Sequence, residues 1–299
     1  MQFNKTDIQV GEKIEKVEQT NERVELSQNI MKIINDIHKK SSEILDIGSL
    51  VYYVLNNTKA EFQNIYSDSQ KCFLVEALAR PCPDIIWVDK TQYNRQIEAL
   101  IRLLSLLEET WETFQLFKHM LGLIDIEMNK KWGIHKYSIN AYPDDILDQD
   151  FLELIDNFKH PEQLVIELTE KEEWSIESLQ ILKKIQEKYG IRIALDDINP
   201  VASESNYTMD TLDKCRNIGC ILDLWKIDGP YFQYLYKNKN FIWLESRIQE
   251  DFYKSGIKNF IIEWIETEDQ FNFAKQLEQN QEFKDLGIRF WYQGFYFKD

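Results

Sequence analysis

Several features that assign a protein to a common class are scarce or missing in this sequence. The 299 residues include four cysteines, and since no two form a CxxC pair, the sequence gives neither a disulfide framework nor a zinc motif. The four histidines show no mutual spacing typical of a metal site. A reducing compartment is therefore expected.

Long apolar runs are missing as well. Residues 1–16 are polar and charged, without the apolar core of a signal peptide. The longest apolar stretch, Ile44 to Leu55, contains Asp46 and is shorter than the roughly 20 residues of a membrane span. We therefore expect a cytoplasmic protein without membrane insertion.

Positive charge is in deficit. The sequence has 51 acidic against 35 basic residues, a formal net charge of −16. Binding to bulk nucleic acid requires a basic face, which this composition does not supply. A phosphate-bearing substrate would need bound divalent cations to offset the acidic groups.

What the sequence does contain is a repeated pattern of short apolar runs that end in a polar residue. Runs of this kind are typical of buried parallel strands, and they recur roughly every 30 residues, enough for one strand, one helix and two loops. This period predicts an α/β fold, a (β/α)8 barrel of the TIM type. The six runs are Tyr137–Asn140, Leu164–Glu167, Ile193–Asp197, Leu224–Lys226, Phe260–Glu263 and Phe290–Gln293.

Two earlier strands complete the count of eight that the barrel requires. They are predicted at Glu61–Tyr66 and Cys72–Leu78, with a turn at 67–69 between them. Helical periodicity covers Gln96–Met128, predicted as two helices, and Ser175–Tyr189, where Gly190 is the expected C-cap. A capping box is predicted at 267–270.

The predicted domains are a polar lead with N-terminal helices over residues 1–57 and the barrel over residues 58–299. The first segment is too short for a sensory domain of ordinary size, so it forms a short helical extension. Its helices pack on the barrel or form a dimer contact, which leaves a homodimer as an open alternative.

Catalytic groups of such barrels lie at the carboxyl ends of the strands, so the polar ends of the runs predict one site. Oxygen ligands from three neighbouring strands suit Mg²⁺ or Mn²⁺, and a second ion bound by Asp197 would allow a two-metal phosphoryl displacement. Lys226 is the candidate that orients water, and Glu263 is the candidate base. The predicted site residues are Asn140, Glu167, Asp196, Asp197, Lys226, Glu263 and Gln293.

A structural interpretation of each residue stands beside this one. A single carboxylate at a strand end is more often a helix N-cap or a solvated charge, and Lys226 alone could extend to solvent. Their recurrence with the period of the barrel favours a functional site.

At these positions the sequence resembles EAL domains, the cyclic-di-GMP phosphodiesterases. The stretch from Val75 to Arg80 resembles the Glu-Ala-Leu signature, and Phe62–Ile65 resembles the strand that precedes it. The resemblance covers about residues 58 to 299. Further motifs follow in order at Ser138–Asn140, Glu167–Glu170, Asp196–Asp197, Lys226–Gly229, Glu263–Thr267 and Gln293–Phe295.

The resemblance implies a modified (β/α)8 barrel that hydrolyses cyclic-di-GMP to linear pGpG with two Mg²⁺ or Mn²⁺ ions. It assigns one ion to Glu76, Asn140, Glu167 and Asp196, and the second to Asp197. Lys226 would position the water, Glu263 would be a ligand or base, and Gln293 would complete the site. Gln63 and Arg80 would contact the dinucleotide, while Glu170 and Glu266 would support the ligands.

The sequence departs from the family in three places. Ile198–Val201 replaces a glycine-containing loop after Asp197, and Pro200 restricts the backbone further. Trp264 stands where the family has glycine. A Phe-(Ile/Leu)-Pro-x-x-Glu segment is not recognisable in Asp84–Asn94.

Two alternatives follow. The altered loop is compatible with a degenerate EAL-like receptor for cyclic-di-GMP or with a protein-interaction module. A barrel enzyme of the enolase type would also use strand-end carboxylates with Mg²⁺, but it needs a sizeable capping domain, and residues 1–57 are too few.

Overall fold

The computed structural model describes residues 55, 58–81, 113–131, 135–169, 172–198, 205–248 and 256–297. The chain divides into two compact units, Met1–Thr58 with Pro81–Glu112 and Lys59–Arg80 with Thr113–Asp299. The described residues belong almost entirely to the second unit. The predicted N-terminal helices and the domain boundary near residue 58 stay predictions, because residues 1–54 lie outside the described ranges.

The second unit contains a closed eight-stranded barrel whose strands follow one another in chain order. The predicted (β/α)8 barrel of the TIM type is therefore confirmed. The strands are β1 Thr58–Tyr66, β2 Cys72–Pro81, β3 Lys136–Ala141, β4 Leu164–Leu168, β5 Arg192–Ile198, β6 Leu224–Ile227, β7 Asn259–Ile262 and β8 Arg289–Tyr292.

The barrel is modified at its first strand. Strands β2 to β8 are parallel, whereas β1 is antiparallel to β8, with Tyr66 opposite Tyr292. A tight turn reverses the chain after β1, and in it the Ser67 amide donates to the Lys71 carbonyl at 2.9 Å. A connection this short can join only antiparallel strands.

Helices lie between the later strands, as the sequence predicts. They are α1 Thr113–Lys131, α2 Pro143–Leu147, α3 Phe151–Asn157, α4 Ile176–Tyr189, α5 Ser205–Ile218, α6 Gly229–Asn238, α7 Ile242–Arg247, α8 Glu268–Ala274, α9 Gln276–Gln279 and α10 Gln281–Leu286.

The signals predicted for helix ends are confirmed. Gly190 ends α4 with a φ of 70°, and Thr267 and Gln270 form the capping box of α8. Of the predicted helical region Gln96–Met128, α1 covers the part from Thr113, and the residues before it lie outside the described part. Within the described ranges, no helix combines the length and apolar character needed to cross a bilayer.

Helix α4 shows how the helices cover the barrel. Its buried side is apolar and includes Leu179, Leu182 and Ile185, while Ile176 at its first position is half exposed. Leu182 is fully buried in the main core cluster between strands and helices.

We expect Leu182→Ala to lower the free energy of unfolding by about 2–5 kcal/mol, since it leaves a cavity in a close-packed core. Urea denaturation followed by circular dichroism measures the change. Ile176→Ala on the same helix is the matched control and should change the free energy by less than about 1 kcal/mol. Equal losses in the two variants would contradict the packing described here.

Asp145 in α2 is a buried carboxylate, and its Oδ2 accepts a hydrogen bond from the Tyr142 amide at 2.8 Å. Burial raises the pKa of Asp145 from 3.8 to about 6. The folded state therefore holds this proton more tightly than the unfolded chain does. The resulting stabilisation is full below pH 3.8 and is lost as the pH rises through about 6.

We expect Asp145→Asn, which keeps an acceptor oxygen but cannot titrate, to gain stability relative to the wild type as the pH rises. Between about pH 4 and pH 7 the difference in unfolding free energy should grow by roughly 2–3 kcal/mol. Urea denaturation at several pH values measures it. A difference that is independent of pH would contradict the raised pKa.

Candidate active site

The site rests on a layer of apolar side chains inside the barrel. Side chains of a strand alternate between its two faces, so one residue in two points to the barrel axis. Phe73 and Trp291 pack against this layer, and their rings stack at 3.6 Å between centroids. The buried members are Ile65, Leu74, Val165, Ala194, Leu224 and Ile261.

Seven of the candidate site residues form the next layer along the same axis. Each lies two positions from an inward-facing residue of its own strand and therefore shares its face. On the parallel strands the site residue lies two positions after the apolar residue, toward the carboxyl end. On the antiparallel β1, Gln63 lies two positions before Ile65. On the other strands, the apolar residue and the site residue two positions after it are Leu74 and Glu76, Val165 and Glu167, Ala194 and Asp196, Leu224 and Lys226, Ile261 and Glu263, and Trp291 and Gln293.

The Lys226 ammonium lies among the carboxylates of this layer. Its Nζ is 2.8 Å from Asp196 Oδ1, 2.9 Å from Glu263 Oε1, 3.0 Å from Glu76 Oε1 and 3.1 Å from Glu167 Oε2. All five side chains are buried, with Lys226 only 1% and Glu167 0% exposed. Groups separated by up to 187 positions in the chain thus meet at one point.

Two glutamines extend the cluster toward β1. The Gln293 amide nitrogen donates to Glu76 Oε2 at 2.5 Å and to Gln63 Oε1 at 2.8 Å. Gln293 is buried, and Gln63 is half-buried at the open side. The pair fixes the orientation of the Glu76 carboxylate.

The cluster has an excess of negative charge. With every group ionised, four carboxylates surround one ammonium. Burial opposes the charged form of Lys226, but the carboxylates outweigh burial and raise the pKa of its ammonium well above the ordinary value. Lys226 is therefore a permanent cation at neutral pH.

This environment shifts the pKa values of the carboxylates in different directions. Burial raises the pKa of Glu167 well above its ordinary value, and Lys226 offsets the effect only in part. Burial also acts on Glu76, but there the Lys226 ammonium and the hydrogen bond from Gln293 prevail and lower the pKa. One ammonium thus does not offset the effect of burial on every carboxylate, and additional positive charge would favour their ionised forms.

Some oxygen atoms of the cluster have no hydrogen-bond partner. Among them are Asn140 Oδ1, Glu167 Oε1 and Gln293 Oε1, all buried. Asn140 lies beside Glu167 in the β3–β4 register. Buried polar atoms are normally satisfied, so unpartnered oxygens beside excess negative charge fit a hard divalent cation. Among the described residues, no group of three or more His, Cys, Asp or Glu is arranged as a ready metal site, and the carboxylates surround the ammonium instead.

The loop after β7 borders the site, and backbone hydrogen bonds hold its first residues. The Glu263 amide donates to the Ile227 carbonyl at 3.2 Å, and the Ile265 amide donates to the Gln293 carbonyl at 3.0 Å. Gly294 packs directly on this loop, since a Cβ there would lie 2.2 Å from the Ile265 oxygen. The close backbone contact therefore explains why the predicted Gln293–Phe295 motif contains a glycine.

Several predicted site residues are not part of the cluster as described. Arg80 is exposed, and its Nε donates to Glu61 Oε2 at 3.2 Å. The Glu266 side chain is exposed, while its backbone amide donates to Gln270 Oε1 at 2.7 Å. The roles predicted for these two residues stay predictions.

Other predictions fall on parts that are not described. The backbone of Asp197 is in β5, where the pairing register with β6 shifts between Leu195 and Ile198, but its side chain is outside the described part. Glu170, most of the loop at 198–201 and the segment Asp84–Asn94 also lie outside the described residues.

With this geometry established, the barrel can be compared with solved structures. PaMucR phosphodiesterase in complex with c-di-GMP superposes with a TM-score of 0.57 at 19% identity, over 81% of this chain and 96% of that one. An EAL domain protein from Listeria monocytogenes EGD-e gives 0.55 at 19% identity, over 85% and 94%. The chain has the EAL-domain fold.

The EAL fold is also found in larger proteins similar to this chain. A Vibrio cholerae LapD fragment with an S helix, a GGDEF and an EAL domain, bound to c-di-GMP, gives a TM-score of 0.58 at 16% identity, over 83% of this chain and 55% of that one. No family model and no curated protein matches the sequence. At these identities the likeness establishes the EAL fold and leaves the activity to be argued from the site.

Two glutamines hold the loop after β7, and the sequence indicated only one of them. The Gln233 side chain in α6 donates to the Trp264 carbonyl at 2.9 Å, and Gln270 Nε2 donates to Gln233 Oε1 at 2.8 Å. The capping box located Gln270 at a helix start, but no pattern in the sequence indicated Gln233.

We expect Lys226→Met to lower the free energy of unfolding by about 3–5 kcal/mol at neutral pH in EDTA, because it leaves the buried carboxylates without their cation. Lys130→Met is the control, since its side chain is 67% exposed and pairs with Glu127 one turn earlier in the same helix. The control should change stability by less than about 1 kcal/mol. Similar effects of the two substitutions, measured by urea denaturation, would disprove the central role of the buried ammonium.

Proposed function

We propose that this protein is a metal-dependent phosphodiesterase that hydrolyses cyclic-di-GMP to linear pGpG. The observation that carries the proposal is the convergence of four buried carboxylates and one lysine at the carboxyl end of an EAL-type barrel. A phosphodiester is an anion, so it can approach this cluster only if bound cations reverse the local charge.

The chain offers oxygen ligands for two such ions. Glu76, Asn140, Glu167 and Asp196 would hold one Mg²⁺ or Mn²⁺, and Asp197 would serve the second, with Glu263 as a further ligand. When bound, such ions polarise a phosphoryl oxygen and lower the pKa of a coordinated water. The unpartnered oxygens of Asn140 and Glu167 support this assignment.

The remaining residues act on the substrate and on protons. Lys226 keeps its positive charge in the buried cluster and would position the attacking water and stabilise negative charge on the phosphate. Glu263 would accept the proton of that water. Gln293 and Gln63, which contact each other, would orient Glu76 and the dinucleotide.

Three further assignments rest on the resemblance. Arg80 would contact the dinucleotide after releasing Glu61, and Glu170 and Glu266 would support the ligands. Cyclic-di-GMP is the proposed partner, in keeping with the ligand of PaMucR and LapD. A cytoplasmic location and a homodimer belong to the same proposal.

With Mg²⁺ or Mn²⁺ the purified protein should convert cyclic-di-GMP to pGpG, and Glu76→Gln should lower kcat at least about 100-fold, because it removes a ligand charge. Chromatographic separation of the two nucleotides measures the reaction. Glu187→Gln is the matched control, since Glu187 is 65% exposed on α4. Absence of turnover by the wild type with either metal at high enzyme concentration would reject the proposal.

A receptor that binds cyclic-di-GMP without hydrolysis is the second candidate. It is favoured by the Lys226 ammonium at the centre of the carboxylates and by the replacement of the glycine-containing loop at 198–201. Calorimetry separates the candidates. Tight binding without turnover identifies a receptor, and no binding identifies a protein-interaction role.

A further inference from the structure

Trp264 has a backbone conformation that a tryptophan rarely adopts. Its φ is 55°, one of three positive φ values at non-glycine residues in the described part of the chain. For a bulky side chain this region is strained, and such conformations persist where surrounding contacts impose them, often at functional sites. The residue follows Glu263, whose carboxylate lies 2.9 Å from Lys226 Nζ.

The contacts that impose this conformation can be identified. Hydrogen bonds hold the amides on either side, from Glu263 to the Ile227 carbonyl and from Ile265 to the Gln293 carbonyl. The Trp264 carbonyl accepts from the Gln233 side chain at 2.9 Å. The backbone at Trp264 is therefore fixed on both sides.

The indole ring packs against a glycine at the start of α6. A Cβ at Gly229, the first residue of α6, would lie 2.1 Å from Trp264 Cγ, so only glycine permits the ring to lie there. Trp264 nevertheless remains 53% exposed, among the large apolar side chains open to solvent. One side of the indole is thus supported by the α6 backbone while much of the ring stays accessible.

The position of the ring suits contact with a ligand at the site. Trp264 follows β7 directly after Glu263, a member of the cluster whose excess negative charge repels an anionic ligand, and its ring packs on Gly229 after β6. Stacking of a neutral base on an aromatic ring adds affinity that does not depend on charge. An exposed indole whose backbone is fixed directly after a carboxylate of the cluster suits such a contact.

We propose that Trp264 binds a purine base of the substrate by stacking, as a specificity-determining residue of the site. The inference rests on the proposed function, since it assumes a nucleotide ligand. It assigns base recognition to the residue by which this chain departs from the family's glycine.

The first test compares kinetics of the wild type with those of Trp264→Ala and Trp264→Phe. Trp264→Ala should raise KM for cyclic-di-GMP roughly 5- to 150-fold, the range of one base–aromatic stack. Its kcat should stay within about threefold, since stacking acts equally on bound substrate and transition state. Trp264→Phe keeps a ring and should restore most of the affinity. Tyr234→Ala, at a residue 55% exposed on α6, is the control and should match the wild type.

The second test uses binding without turnover. In Ca²⁺, calorimetry compares guanosine 5′-monophosphate with ribose 5-phosphate, which has no base. Trp264→Ala should lose affinity for the first probe roughly 5-fold or more and retain its affinity for the second. Equal losses for both would show that Trp264 only shapes the site and would overturn the inference.

The remaining outcomes separate this inference from the proposed function. Wild-type turnover with an unchanged KM in Trp264→Ala overturns the inference alone. Absence of turnover together with Trp264-dependent binding of guanosine 5′-monophosphate in Ca²⁺ overturns the proposed function and supports the inference. Failure of the wild type to bind either nucleotide overturns both. Conversion of a dimer to a monomer by Trp264→Ala in analytical ultracentrifugation assigns the ring to a contact between copies and overturns the inference.

Discussion

A buried ammonium surrounded by four carboxylates is the constraint on which the site depends. Lys226 holds Glu76, Glu167, Asp196 and Glu263 within 3.1 Å of its Nζ, although each comes from a different strand or strand end. Charges in a low-dielectric interior interact strongly, and each is unfavourable without a partner. The cluster therefore requires that β2, β4, β5, β6 and β7 keep their register, because a shift of one residue would turn a charged side chain to the apolar outer face.

An apolar layer and a loop support this cluster. Below it, an apolar layer that includes Leu74, Val165 and Ile261 packs inside the barrel. Beside it, the loop after β7 is fixed by backbone hydrogen bonds to β6 and to the end of β8. The strained φ of Trp264 is a consequence of this fixation, since the bonds on both sides of the residue leave its backbone little freedom.

The site combines an excess of negative charge with a backbone that is held by hydrogen bonds. The raised pKa of Glu167 and the unpartnered oxygen of Asn140 both indicate that the ammonium does not satisfy the cluster by itself. A divalent cation would supply the missing charge and the missing partner for those oxygens. The closed barrel explains how side chains distant in the chain come together at one place.

Periodicity in the sequence determined the strands, the helix ends and the faces on which the polar residues lie. These features are local, because strand alternation and capping depend on residues within a few positions of each other, as at Gly190 and Thr267. Only the tertiary structure decided the pairing of β1 with β8, the pairing of exposed Arg80 with Glu61, and the support of Trp264 by Gly229 and Gln233. Those contacts join segments far apart in the chain, and their geometry depends on how the barrel closes, which no local pattern encodes.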